Sequence, residues 1–545
     1  MIFLLLTMVL IQAFSLYAGG GGEAGSSGKQ RPSLLEPGEY TLPIVREQMT
    51  LSLLTQDGLN SVFSLNDNLE IWREIEKRTN IKIDWQCVFG GKDYRQSMYL
   101  RVAAGSDLPD LFSTRDQNPL KLYKDKVIIQ TTDLVKNYAP NIVRQIKENR
   151  QIQAASIAPD GHMYTVIPFA QMASGTTNIG GSFFRMDWVR KLGLKEDPVT
   201  KEDYFDMLKA FLTKDPNGNG KQDEIPLIFN HLNFFGFFGT AWDLYLTGAS
   251  KGWRADKNGK MMYDYVNPRF KELLTYLNKM YNEKILQKEV VVKTNRRNQY
   301  IATNRVGMQA GALGHAANRD KLISRAGVDL SLGGHYFGGP PFNEITGQRE
   351  TNPDVQIKPR WFVISSRCKY PEVAVRWLDY VWGSEEGQIL TNFGIKDKTY
   401  YIGKDGNRHY TDQVLNNQKG FSPQDALRAV GCLPLTLTYE RPDAFHLLWE
   451  KNPKIYNMVN ETKKFVKRQV AIPTILQDAQ DAEDYANIKA DVETYREEMY
   501  LKFIMGQEPL DKFDEYVEKM LFLGLERLRE IQQKNYEKIK SFDWK

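Results

Sequence analysis

The chain is poor in cysteine and histidine, and this excludes several kinds of site. Its 545 residues include three cysteines, Cys87, Cys368 and Cys432, which are far apart and odd in number. A disulfide framework is therefore not encoded, and buried free thiols are expected. The six histidines are scattered and show none of the spacings that hold zinc.

Long runs of charge of one sign are also missing. Lysine and arginine number 72 and aspartate and glutamate 67, which gives a formal net charge of +5. Without a basic cluster, no nucleic-acid partner is expected. With 42% hydrophobic residues, the chain can bury a large core, and its length predicts more than one lobe.

Two sequence signatures of enzymes are absent. The chain has no Gly-x-x-x-x-Gly-Lys-Ser/Thr phosphate loop and no His-Glu-x-x-His helix. The acidic pair Glu385-Glu386 could suggest a glycoside hydrolase, but that chemistry needs two carboxyl groups that face each other across a bond. We therefore predict that the protein is not an enzyme, and a glycoside-acting enzyme stays an alternative.

The N-terminal residues have the pattern of an export signal. Residues 1–20 are predicted to be this signal because Ile2 to Ala18 is apolar and uncharged, although the usual basic start is missing. A spacer rich in glycine and serine is expected over residues 21–44. The alternative is an uncleaved N-terminal helix that tethers the protein to a membrane.

Alternating strand and helix patterns predict an α/β fold. Ile81, Ile83 and Trp85 alternate with polar residues as in a strand, between a helix around Trp72 and a second helix that ends at Gly105. Such alternation indicates a parallel sheet covered by helices. The C-terminal third of the chain is predicted to be mostly helical.

A polar loop follows a helix predicted to begin at Thr200 with Asp203 in its first turn. Oxygen-bearing side chains stand at loop positions one, three and five, a glycine at six, and carboxylates at nine and ten. This is half of an EF-hand loop, but Pro226 replaces the carboxylate at position twelve. We predict a structural Ca²⁺ site, and the alternative is an ordinary polar Asn-Gly turn. The predicted ligands are Asp215, Asn217, Asn219, the carbonyl of Lys221, Asp223 and Glu224.

Several segments together resemble the extracellular solute-binding proteins of family 1, the binding components of ABC sugar importers. The large branch with alginate-binding periplasmic proteins and Gram-positive sugar-binding lipoproteins is the most similar. The segments that carry the resemblance are 79–83, 104–110, 184–194, 215–226, 370–374, 384–387 and 503–506. The lipobox cysteine of such lipoproteins is absent, since Gly19 follows Ala18, which puts a lipid anchor in doubt.

The resemblance implies a two-lobed fold like that of type II periplasmic binding proteins, with a hinge between the lobes. The expected N-terminal lobe comprises residues 45–167 and 361–435, and the expected C-terminal lobe residues 168–360 and 436–545. It also implies an exported monomer, periplasmic or at the cell surface, that delivers an oligosaccharide to an ABC transporter permease. Membrane contact is expected only through the permease or an uncleaved N-terminus, and a calcium-stabilised surface adhesin is a further alternative.

A sugar cleft needs flat aromatic rings for the C–H faces of the sugar and short polar groups for its hydroxyls. Aromatic residues make up 12% of the chain, and each candidate could equally be ordinary core packing. The predicted ligand-binding residues are Trp188, Trp242, Tyr245, Tyr336 and Trp361, with Arg185, Asp187 and His335 as polar partners.

Overall fold

The computed structural model describes most of the chain after the predicted signal and spacer. The described residues are 41–57, 63–105, 107–115, 117–171, 181–228, 231–246, 251–286, 297–311, 315–350, 357–433, 441–465 and 475–541. The predicted export signal lies outside them. Within the described residues, no helix has both the length and the apolar character needed to cross a membrane.

Strands and helices alternate along most of the chain. The strands are β1 Met49–Asp57, β2 Ile81–Phe89, β3 Leu111–Ser113, β4 Ile167–Gln171, β5 Gly181–Arg185, β6 Ile225–Ile228, β7 Trp253–Ala255, β8 Met261–Tyr263, β9 Val306–Gly311, β10 His335–Gly338, β11 Phe342–Asn343, β12 Gln348–Arg349, β13 Ile357–Ile364, β14 Tyr400–Ile402 and β15 Arg408–Tyr410. The pairs β7–β8, β11–β12 and β14–β15 form small hairpins.

The helices cover the sheets and dominate the C-terminal third, as expected. They are α1 Glu70–Thr79, α2 Gly91–Ala104, α3 Pro119–Lys124, α4 Thr132–Tyr138, α5 Pro140–Glu148, α6 Arg150–Ser156, α7 Met186–Lys191, α8 Lys201–Thr213, α9 His231–Phe238, α10 Pro268–Asn282, α11 Arg297–Ala302, α12 His315–Arg325, α13 Pro371–Leu378, α14 Glu385–Asn392, α15 Asp412–Leu415, α16 Pro423–Val430, α17 Pro442–Leu447, α18 Pro453–Lys463, α19 Ala479–Met505, α20 Phe513–Phe522 and α21 Leu525–Ser541.

Two separate sheets confirm the two-lobed α/β prediction. The first sheet has the strand order β2-β1-β3-β13-β4, with β1, β2 and β3 parallel and β13 antiparallel to both of its neighbours. The second has the order β10-β5-β9-β6, in which only β6 and β9 are parallel. Each sheet has its own hydrophobic core, so we call the two units the first and second lobes.

The chain passes between the lobes several times. It leaves the first sheet after Gln171, enters the second at Gly181, and returns to the first sheet at Ile357. Ala444 and Leu448 then pack in the first core, whereas Ile455 of α18 packs against the second sheet. The lobe boundaries given above stay predictions.

Aromatic residues fill both cores. In the first lobe the ring of Trp72 lies 4.9 Å from that of Trp85 and 6.3 Å from that of Trp377, centroid to centroid. In the second lobe Phe235 lies 4.8 Å from Tyr500 of α19, so the C-terminal helices complete that core. Tilted and edge-on ring pairs of this kind stabilise the fold beyond the free energy gained from burying apolar surface.

The start of α8 has the predicted capping box. The Thr200 hydroxyl accepts a hydrogen bond from the Asp203 amide at 3.0 Å, and the Asp203 carboxylate accepts one from the Thr200 amide at 3.0 Å. These two bonds satisfy amides that have no partner inside the helix. They also fix the orientation of the helix that leads into the polar loop.

We expect Thr200→Ala to lower the free energy of unfolding by about 1 kcal/mol, because it removes the cap. The matched control is Thr213→Ala in the same helix, where an exposed hydroxyl donates to the Lys209 carbonyl, and its effect should stay below about 0.5 kcal/mol. Urea unfolding of both variants measures the difference. Equal losses would contradict a specific capping role.

Candidate functional site

The carboxyl ends of the parallel strands mark where a ligand site belongs in each lobe. In the first sheet β1, β2 and β3 end at Asp57, Phe89 and Ser113. The end of β4 and the start of β13 lie at this same edge, because Gln171 pairs with Ile357. Open α/β sheets bind ligands outside the carboxyl ends of their strands.

In the second sheet, too, the chain crosses between the lobes at the edge where the parallel strands end. Its parallel strands β6 and β9 end at Ile228 and Gly311, and Gly181 at the start of β5 pairs with Gly311. The chain therefore leaves the carboxyl edge of one sheet and enters the carboxyl edge of the other. These two edges form the candidate interlobe cleft.

On the first-lobe side this edge presents an exposed ring and an unusual backbone. Phe89 at the end of β2 is 70% exposed. Arg115, two residues beyond β3, has φ of 54°, a left-handed conformation that costs free energy for a residue other than glycine. Its guanidinium lies 5.6 Å from the Tyr94 ring centroid. Between strand and arginine, the fully buried Thr114 hydroxyl has no hydrogen-bond partner in the described part of the chain.

Sequence reasoning missed these residues. The signal was the polar run that begins at Ser113 directly after the buried Leu111 and Phe112, and the Gly90-Gly91 pair directly after Phe89. Both signals mark the ends of parallel strands. They indicate a common site only once β1, β2 and β3 are known to end at the same edge of the sheet.

Several predicted ligand-binding residues lie at the opposite edge of the second sheet. Arg185 pairs with His335, and Ile225 with Val306, at the amino ends of β6 and β9. Arg185 donates to the Asp187 carboxylate at 2.7 Å and to Asn304 Oδ1 at 2.5 Å, and both partners of the ion pair are buried. At about 3.3 Å per residue, this end is roughly 13 Å from the candidate cleft. The ion pair holds strand β5 to helix α7.

His335 is part of a buried chain of polar groups. Its Nδ1 lies 2.7 Å from Asp320 Oδ1, and its Nε2 lies 2.8 Å from Gln309 Nε2, which makes Nε2 the acceptor for the amide. Burial lowers the pKa of His335, so the ring is neutral near pH 7. Burial disfavours ionisation of Asp320, but contacts with His335 and Lys454 outweigh it and lower its pKa.

The aromatic rings predicted to stack on a sugar are covered by other side chains of the protein. Trp188 is 1% exposed, with Arg185 4.7 Å from its ring centroid and Phe211 5.3 Å away. Trp242 is buried between Lys201 and Tyr276, and Tyr245 is buried beside Arg254.

The half-buried Tyr336 has Lys454 4.9 Å and Arg190 5.8 Å from its centroid. The side chain of Trp361, in β13, lies outside the described part of the structure. Stacking on a sugar stays a prediction for these five residues, and the placement of the described four does not support it.

The polar loop folds around the carboxylate of Asp215. This carboxylate accepts hydrogen bonds from the amides of Gly218, Asn219 and Gly220, at 3.0, 3.1 and 2.9 Å. Gly218 and Gly220 have φ of 74° and 72°, which glycine adopts without steric cost. The turn thus begins at loop position one and closes on the glycine at position six.

The remaining predicted calcium ligands lie around the same loop. The Oδ1 atoms of Asn217 and Asn219 accept from the Asn219 and Lys221 amides at 3.0 and 2.8 Å. Asp223 Oδ1 accepts from Asn219 Nδ2 at 2.9 Å. Among the described residues there is no group of three or more histidine, cysteine, aspartate or glutamate side chains already arranged around a metal position.

The electrostatics of the loop nevertheless fit a hard dication. Burial raises the pKa of the Glu224 carboxyl, and the charges of Asp215 and Asp223 raise it further. Partial burial also disfavours ionisation of Asp215, but its three amide contacts outweigh this and lower its pKa. A divalent cation bound between these carboxyl groups would favour the ionised form of both. Glu224 and Asp215 would hold the cation, with Asp223 and the two asparagines supplying further oxygens.

Comparison with known proteins agrees with this architecture. The curated fructooligosaccharide ABC transporter substrate-binding protein FusA of Streptococcus pneumoniae serotype 4 is 25% identical over 519 residues, 91% of each chain. A crystal structure of alginate-binding protein AlgQ2 without calcium ion matches with a TM-score of 0.71 and 22% identity, over 90% of this chain and 98% of that one. A FusA EF-hand mutant in complex with fructo-nystose matches with a TM-score of 0.69 and 22% identity, over 90% and 100%.

These structural matches share the fold of this chain, a type II periplasmic binding protein with two lobes. FusA is named as the substrate-binding protein of an ABC transporter, and AlgQ2 is named as an alginate-binding protein. The family model described as bacterial extracellular solute-binding protein matches residues 67–388, more than half of the chain. The chain therefore belongs to the bacterial extracellular solute-binding protein family.

Proposed function

We propose that this protein is an exported monomer that captures an oligosaccharide between its lobes and delivers it to an ABC importer. The observation that supports the proposal is that the chain crosses between the carboxyl edges of its two sheets, so that a ligand held between these edges would contact both lobes. FusA, similar over 91% of both chains, is named for fructooligosaccharides, which supports a sugar ligand. Closure would be a population shift driven by contacts to both lobes.

We propose Phe89 and Arg115 as first-lobe ligand contacts. β1 lies between β2 and β3, so the strand ends that carry these residues are about 10 Å apart. An exposed ring suits the C–H face of a sugar, and a guanidinium suits its hydroxyl or carboxylate oxygens. The Thr114 hydroxyl could accept a hydrogen bond from a ligand hydroxyl if the edge opens.

We expect Phe89→Ala and Arg115→Ala each to weaken oligosaccharide binding about tenfold, because each removes roughly 1.4 kcal/mol of contact. A thermal-shift screen of neutral and acidic oligosaccharides would first identify a ligand, and calorimetry would then compare the variants. The matched control is Phe522→Ala, which removes an aromatic ring that is 79% exposed at the end of α20 in the second lobe.

Unchanged affinity in both cleft variants, or an equal loss in the control, would contradict the assignment. The same screen separates the alternative functions. A binding protein gains thermal stability and becomes more compact with its ligand. An enzyme yields product, and an adhesin without a transported ligand does neither.

We propose that the polar loop binds a structural Ca²⁺ through Asp215, Asn217, Asn219, Asp223, Glu224 and the Lys221 carbonyl. When bound, the cation would neutralise the carboxylates that raise the pKa of Glu224. The name of the matching FusA EF-hand mutant supports a metal loop in that relative. The donor chemistry supports one in this chain.

We expect Ca²⁺ at a hundred times its Kd to stabilise the protein by about 2.7 kcal/mol, and chelation to reverse this. Glu224→Gln should abolish the calcium response and raise the stability of the calcium-free protein, because it removes a buried carboxyl beside two others. The control is Asp256→Asn, in a similar turn where one carboxylate accepts from the Asn258 and Lys260 amides. Thermal unfolding with and without chelator measures both effects, and a calcium response retained by Glu224→Gln would refute the ligand set.

Calcium affinity should fall as pH falls through the raised pKa of Glu224, above the range usual for a glutamate. The cation needs the ionised carboxyl, so binding must release protons in this pH window. Calorimetry in buffers of different ionisation enthalpy would detect that release. Binding without proton release anywhere in this pH window would mean that Glu224 is not a ligand.

A further inference from the structure

The last helix of the chain connects the two lobes. The body of α21 belongs to the second lobe, where Leu525 and Leu528 lie in the core and Gln533 Oε1 accepts from the Met261 amide at 2.8 Å. Arg527 forms ion pairs with Asp481 and Asp484 of α19. The helix is thus fixed to the second lobe along most of its length.

The end of α21 instead contacts the first lobe. Lys538 Nζ donates to the carbonyl of Ile157, which follows α6, at 2.8 Å, and lies 3.5 Å from the carbonyl of Leu476. Lys534, one helical turn before Lys538, forms an ion pair with Asp481 of the second lobe. The helix therefore changes from contacts with the second lobe to contacts with the first lobe within one turn. The Lys538 side chain is half-buried, and this burial lowers its pKa to about 8.

Apolar contacts accompany this ammonium group. Ile539 packs with Ala154 of α6 and with Ile475 in a small buried cluster. The neighbouring Leu476 is buried in the first lobe with Leu54 and Phe112. The contact therefore joins three parts of the chain.

A crossing between the lobes lies directly beside this contact. The carbonyl of Gln477 accepts from Asn118 Nδ2 of the first lobe at 3.2 Å, and Asp478 begins α19, which packs in the second lobe. Where the chain itself crosses, the lobes cannot separate. Leu476, near which Lys538 lies, is one residue before this crossing. A group so close to a crossing moves little when one lobe rotates against the other.

We infer that Lys538 and Ile539 form an interlobe pivot, a contact about which the lobes turn during closure and which holds the hinge axis in place. The inference rests on the lobe closure of the proposed function. The chain crosses between the lobes after β4 and again before β13, and the pivot adds the C-terminal helix to the hinge that these crossings form. Without the pivot, the two lobes would sample more relative orientations in the open state. A smaller fraction of the protein would then have the orientation from which the lobes can close on a ligand.

The test compares Lys538→Met with Lys534→Met in the full, ligand-free protein. Both replace a lysine by a side chain of similar length on the same helix, but only the first touches the other lobe. In Lys538→Met we expect the amides of Ile157 and Ala158 to exchange hydrogen about tenfold faster, because local opening becomes easier. Those amides bond to the Gln153 and His162 carbonyls. The radius of gyration in solution scattering should rise.

In Lys534→Met both quantities should match the unchanged protein. Amides of the sheet interiors, such as Leu53 and Met308, should exchange at unchanged rates in both variants. Ile539→Ala should change exchange and scattering in the same direction as Lys538→Met. Unchanged exchange at Ile157 and Ala158, or equal acceleration throughout both lobes, would overturn the pivot. The measurement uses no ligand, so it stands or falls independently of the oligosaccharide assignment.

Discussion

The position of β13 between β3 and β4 is the constraint on which the rest of the molecule depends. Both neighbours of β13 come from the first third of the chain, so residues 181–350 lie along the chain between these two strands and β13. The second sheet is thus an insertion whose two ends leave adjacent strands, with Gln171 opposite Ile357. Two ends held about 4.8 Å apart allow bending but prevent separation.

Two adjacent strands alone would leave the direction of bending poorly defined. Later crossings restrict it. Trp449 packs against both the first core and the cluster around Phe183 of the second sheet, and Glu450 accepts from the His409 ring of the β14–β15 hairpin at 2.7 Å. The contact of Lys538 with the Ile157 carbonyl adds a point beside the crossing at Gln477 and Asp478. Connections at several places favour rotation about one axis, which is the motion that closing on a ligand requires.

Local patterns predicted the parts of the fold that depend on local physics. Strand β2, helix α2 and the capping box at Thr200 follow from alternation and capping residues within about ten positions. The turn of the polar loop was predictable for the same reason, since Asp215 bonds to amides only three to five residues away. The resemblance of ordered segments identified the family and its two lobes.

The ligand residues could not be derived in this way, because burial depends on partners far away in the chain. Arg185 and Asp187 look like an exposed polar pair in the sequence, yet pairing of β5 with β10 and contact with Asn304 enclose them. Trp188 becomes core because α8 brings Phe211 against it. The family resemblance implied a carbohydrate cleft, and only the strand register shows which residues of the second sheet lie at its carboxyl edge.

That register also separates the two proposed sites. The polar loop enters β6 at Ile225, whose amide donates to the Arg305 carbonyl at 2.7 Å, while Arg305 Nε donates to the Asp223 carbonyl at 2.7 Å. A cation in the loop would therefore fix β6 against β9 at their amino ends, whereas the candidate cleft is at their carboxyl ends. With no shared side chain, the cation can influence a ligand only through the rigidity of the second lobe, so its main effect belongs in stability rather than in affinity.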